Sequence, residues 1–209
     1  MTLNNEQLHK IDQVLEDSGL DFLDFKLEIK DHIASQIETL CKEENLSFES
    51  ALSITLEQWK PHLRLNESFW ISNKQSFPRI VITGLRKRYF VYNFISTTLV
   101  ILLFAIDIFK LRELKFNGLY LFLGFSLLWL ILSVFRYTIY KTGIKTSYSY
   151  EFNRMYLLIS LMLGLGGISL FSFGENPTTV WNIVILAYTP VTLYSYFKHR
   201  QFEKKYQFV

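Results

Sequence analysis

Through the first sixty positions apolar residues recur at helical spacing, whereas from residue 89 onward they run together. Leu8, Ile11 and Leu15, with Val14 beside them, share one face of a helix over about 5–18. Gly19 then stands where a left-handed cap would end it. Phe22, Phe25, Ile29, Ile33, Ile37 and Leu40 follow at intervals of three and four, a single stripe along roughly six turns. Asp21, Asp24, Glu28, Asp31 and Glu38 lie mostly off that stripe. A third helix opens at Ser47, a good N-cap, with Glu49 suited to the positive end of its dipole. It would bury Phe48, Ala51, Leu52, Thr55, Leu56 and Trp59, and Pro61 is expected to close it. Three such helices enclose only a small core, so this part should need support from the membrane part or from self-association.

The later pattern is different in kind. Residues 89–109 form a run of 21 whose one formal charge is Asp107. As a helix that run is about 31 Å long, enough for a hydrocarbon core of about 30 Å. Runs at 117–135, 155–173 and 180–197 contain no Asp, Glu, Lys or Arg at all. The expected fold is all-α: a small N-terminal three-helix cytoplasmic domain (1–62), a juxtamembrane linker with a basic collar (63–88), a four-helix transmembrane bundle, and a basic tail (198–209). Residues 62–78 have no clear period. There Phe69, Trp70 and Phe77 with Arg64 and Lys74 suit either a short interfacial segment or an ordinary linker.

Charge sharpens this division and gives it a direction. Residues 1–78 carry 7 Lys and Arg against 14 Asp and Glu, net −7, and residues 79–209 carry 15 against 5, net +10. The overall pI of about 8.8 is an average of two unlike parts, so no direct nucleic-acid binding is expected. With the N-terminus inside, the inner flanks hold twelve cations, beginning with Arg79, Arg86, Lys87 and Arg88, and the outer loops hold Lys110, Arg112 and Lys115. Positive loops stay inside, so both termini are expected in the cytoplasm of a cell membrane. The opening residues lack the apolar core of a secretory signal, which leaves insertion to the first span. One cysteine, Cys41, excludes an internal disulfide framework.

A family likeness rests on three short stretches. Leu27-Glu28-Ile29-Lys30-Asp31-His32-Ile33, then Ile37-Glu38, then Ser47-Phe48-Glu49-Ser50-Ala51 resemble the HAAS signalling domain and the related permease-prefix helical domains. The likeness covers residues 5–60. It departs from the family at Ser50, where a second Glu is usual, and at Trp59-Lys60-Pro61, where the family has a small or glycine-containing end. The resemblance implies a helical module standing ahead of transmembrane segments and associated with PadR-type transcription regulators.

Candidate chemistry is sparse. Asp107 is the one carboxylate within a span and hence a candidate proton or cation site, although Lys110 and Arg112 just beyond it make an interfacial ion pair the simpler account. Pro190 should bend the fourth span, and Asn182 adds a polar group to it. Ser160 and Gly164 form a small-xxx-small pair that, with Gly166 and Gly167, would let another helix approach closely, within the bundle or in a homo-oligomer. Glu28 and His32 share a helix face with Asp24 one turn earlier. No second His or Cys cluster joins them, and a solvated face explains them better than a metal. No catalytic constellation, phosphate-binding glycine loop or cofactor motif is present, and no enzyme is expected.

The expected role is a non-enzymatic signalling or regulatory membrane protein in the lipid bilayer. Asp24, Glu28, Asp31 and Glu38 would offer a surface to a cytoplasmic protein partner. A transporter or permease component, or a scaffolding subunit, is the alternative. The charge count predicts that a reporter fused ahead of residue 79 is active only in the cytoplasm, and activity confined to the outer side would reverse the topology.

Overall fold

The computed structural model describes residues 3–72, 75–108, 118–173 and 179–207. In order the elements are α1 (Asn5–Asp17), α2 (Leu23–Glu43), α3 (Phe48–Leu63), β1 (Leu65–Glu67), α4 (Phe69–Ser72), β2 (Ser76–Pro78), α5 (Arg79–Ile108), α6 (Gly118–Thr142), α7 (Ser147–Phe173) and α8 (Thr179–Gln207). The fold is all-α, with one small antiparallel ribbon among the described residues. It divides into two compact units, Met1–Arg88 with Lys145–Ser147, and Tyr89–Ile144 with Tyr148–Val209.

In the first unit the helical stripes do what their spacing requires. Ile11, Leu15, Ile29, Ile33, Ile37, Ala51 and Leu52 are buried together with Leu20 and Phe25. A capping box opens α1: the Asn4 side chain accepts from the Gln7 amide at 2.8 Å, and the Gln7 side chain accepts from the Asn4 amide at 2.9 Å. Gly19, at φ +75°, follows the end of α1 in the left-handed conformation. Ser47 caps α3 as its sequence implies, accepting from the Ser50 amide. Pro61, however, lies inside α3, which continues to Leu63. A proline so near the end removes one amide from the last turn, and the Arg64 amide still closes that turn on the Lys60 carbonyl at 3.1 Å.

Two features extend this unit beyond its three helices. Residues 65–67 and 76–78 pair as a ribbon, Leu65 with Pro78, Asn66 with Phe77 and Glu67 with Ser76, and the one-turn α4 follows the first strand. The basic collar, moreover, is itself helical: α5 starts at Arg79, and its Val81 and Leu85 are fully buried. This collar is the extra support that a three-helix core lacks.

Residues 145–147 complete the unit. The Leu23 amide at the start of α2 donates to the Lys145 carbonyl at 2.9 Å. In return, the Ser147 amide at the start of α7 donates to Asp24 Oδ1 at 2.7 Å, and Ser147 Oγ donates to Asp24 Oδ2. Arg88 donates to Ser147 Oγ and stands 3.9 Å from Asp24 Oδ2.

The second unit holds most of the apolar sequence. α5, α6, α7 and α8 each contain a segment long and apolar enough to cross a membrane. Each is longer than its apolar run, with 30, 25, 27 and 29 residues, because the polar flanks continue the helix. The interior is built from Leu132, Ile139, Phe152, Tyr156, Ile159, Ile185 and Tyr196, with Phe135 stacked on Tyr196 at 4.1 Å. Phe90, Phe94, Ile101, Leu127, Leu161 and Ile168 point outward and are exposed. An interlocked interior with large apolar side chains, aromatic and aliphatic, exposed on the outside is the arrangement of a bundle whose solvent is lipid.

Two glycines should separate close packing from open space. A Cβ on Gly84 would lie 2.6 Å from Phe25 Cζ, whereas one on Gly164 would meet nothing within 4 Å. Gly84→Ala should destabilise the protein by about 1–3 kcal/mol, and Gly164→Ala should be neutral or stabilise it by up to about 1 kcal/mol. Thermal unfolding of the purified protein in detergent measures both.

Candidate functional site

A concavity lies in the first unit, where α2, α3 and the start of α5 diverge. Phe25, Glu28, Ile29 and His32 follow one another at i, i+3, i+4 and i+7 along one face of α2. Trp59 and His62 come from α3. The opposite wall is α5, with Arg79, Ile80, Thr83, Gly84 and Lys87. Together they enclose a groove of about 580 Å³, and a shallower extension of about 300 Å³ continues past Trp59 and His62 to Gln36 and Gln58.

The floor is apolar and held in place. Phe25 lies against the Gly84 backbone, and the Arg88 guanidinium stands over its ring at 5.4 Å. Without a side chain at Gly84 the ring can reach α5, which fixes the depth of the groove. Trp59 is fixed at the other end: its Nε1 donates to Gln36 Oε1 at 2.8 Å, its ring stacks on His32 at 6.5 Å, and it meets His62 edge-on at 5.9 Å. The rim is charged unequally. Glu28 projects from the α2 wall, and Arg79 and Lys87, two turns apart, project from the α5 wall; all three are exposed.

The residues singled out from the sequence fall in different places. Glu28 lines this groove and Asp31 is exposed beside it, but Asp24 is buried and committed to Ser147, so it belongs to no open surface. Glu38 is half-buried and accepts from the Leu3 amide at 3.0 Å. Asp24, Glu28 and His32 are therefore not gathered into one cluster. The Asp107 side chain lies outside the described residues. Pro190 is exposed within a continuous α8; the preceding Thr189 donates to the Ile185 carbonyl at 2.7 Å, and Ser96 of α5 donates to the Ala187 carbonyl at 3.3 Å. Asn182 Nδ2 is buried and has no hydrogen-bond partner among the described residues.

Among the small residues of α7, Ser160 accepts from Trp129 Nε1 at 2.8 Å. Gly167 packs against the Phe122 ring, where a Cβ would stand 3.1 Å away, and Gly164 faces open space. No family model matches the chain, and no curated protein or solved structure matches it either.

Two features were not anticipated. The α5 wall was hidden because the cations of residues 79–88 read as a collar; the spacing of Ile80, Thr83, Gly84 and Lys87 was the available signal. In the second unit Glu151 and His199 are fully buried, and Tyr92 Oη donates to Glu151 Oε2 at 3.2 Å. Both lie just outside the apolar runs, in positions that composition assigns to solvated flanks.

Proposed function

We propose that this is a non-enzymatic, multi-pass membrane protein of signalling or regulatory type, whose N-terminal unit lies in the cytoplasm and docks a helical segment of a protein partner. The groove carries this reading. Recognition of a helix requires an apolar trough with anchoring positions along it, and Phe25, Ile29, Ile80 and Trp59 supply one. Glu28 on one wall and Arg79 with Lys87 on the other would orient a bound helix bearing opposite charges on its two flanks. The net −7 of residues 1–78 favours a partner of overall positive charge through long-range steering. The likeness of residues 5–60 to HAAS domains implies the same kind of role.

A transport component is the second reading, favoured by the buried Glu151 and the unpaired Asn182 amide in apolar helices. Solute flux in proteoliposomes that is lost on Asn182→Leu would select it.

The docking reading is tested by placing a photo-crosslinking amino acid at Thr83 in cells. One discrete protein adduct should form, should map to a helical segment, and should diminish with Lys87→Glu; a crosslinker at Ser53 should give none. Adducts to lipid alone, or the same adducts from both positions, would contradict it.

A further inference from the structure

We propose that the tip of the β1–β2 ribbon is a lipid-contact device that inserts Phe69 and Trp70 into the headgroup region of the bilayer in which the chain is anchored. The tip is built to present two aromatic rings. Within α4, Ile71 and Ser72 are buried, whereas Phe69 is 64% and Trp70 79% exposed. Their rings meet edge to face at 5.4 Å.

The turn is braced from within: the Ser68 amide donates to Ser72 Oγ at 2.9 Å, Ser72 Oγ donates to the Ser68 carbonyl at 2.9 Å, and the Gln75 amide donates to the Ser72 carbonyl at 2.9 Å. A rigid turn holding two large aromatics in water is disfavoured unless something covers them. Phe77, by contrast, turns inward to Phe22 at 5.1 Å, so the lipid-facing part is the tip and not the whole 62–78 segment.

Size and charge select lipid as the covering partner. Two side chains of about 150–250 Å² each fall short of the roughly 800 Å² per partner of a stable protein interface. The same area suffices for a chain already tethered to the membrane, because no further translational freedom is lost. The ribbon's base carries Arg64 and Arg79, both exposed and joined by the Arg79 amide to the Arg64 carbonyl at 2.9 Å. The one acid of the strands, Glu67, accepts from Ser76 Oγ at 3.0 Å. A tryptophan and phenylalanine pair over a cationic base is complementary to an anionic headgroup layer.

The test uses the full-length chain with Cys41→Ser, reconstituted in vesicles of phosphatidylcholine and phosphatidylglycerol, and a nitroxide attached at Phe69→Cys or, as the aqueous control, at Glu57→Cys. The label at 69 should collide preferentially with oxygen and the label at 57 with a water-soluble nickel chelate; equal aqueous readings at both positions would overturn the proposal. A second measurement keeps Phe69 intact. Quenching of tryptophan fluorescence by brominated phosphatidylcholine should fall in Trp70→Phe relative to the unaltered chain, and identical quenching would overturn the proposal equally.

Discussion

The N-terminal unit is closed by an exchange between two helix ends. Every helix begins with amides that have no partner in their own helix, and burial makes each one costly. α2 has no side-chain cap, and its Leu23 amide is satisfied by the Lys145 carbonyl; α7 begins at Ser147, whose amide is satisfied by the Asp24 carboxylate. Each helix start supplies what the other lacks, across more than 120 residues of sequence. The negative charge of Asp24 also stands at the positive end of the α7 dipole, and Arg88 balances it. A buried carboxylate without such partners would be strongly unfavourable, so these groups form together or not at all.

The same contacts shape the groove. Arg88, held beside Asp24, stands over Phe25, and Phe25 lies on Gly84, so the capping cluster and the floor share side chains. The collar therefore has more than one role. Its cations give the charge asymmetry expected of a membrane-flanking segment, its apolar residues Val81 and Leu85 are fully buried, and its Arg79 and Lys87 form a rim. Ten residues carry all three because a helix distributes them over different faces.

Local periodicity was legible in the sequence and long-range pairing was not. The three amphipathic stripes of the first sixty residues and the four apolar runs announce seven helices, since burial against a core and solvation by lipid each impose a pattern that composition reveals. Leu65, Asn66 and Glu67 form a strand too short to show alternation, so the sequence allows an interfacial segment or a linker there and gives no sign of a ribbon. Pro61 misled because its cost depends on its distance from the helix end. Asp24 looked like a surface acid because it lies beside the apolar stripe; its partner at Ser147 is a property of the fold. Of the groove, Glu28 and His32 could be placed on one face beforehand, but the opposing wall required knowing that α5 begins ten residues before its apolar run.

The reciprocal caps are tested most directly by amide hydrogen exchange in the full-length protein, comparing the unaltered chain with Asp24→Ala. Loss of a charge-assisted bond of about 1.5–3 kcal/mol should accelerate exchange at Ser147 by roughly tenfold to a hundredfold and carry Leu23 with it, while the amides near Ile185 in the second unit stay as they were. Unchanged exchange at both Ser147 and Leu23 would contradict the account.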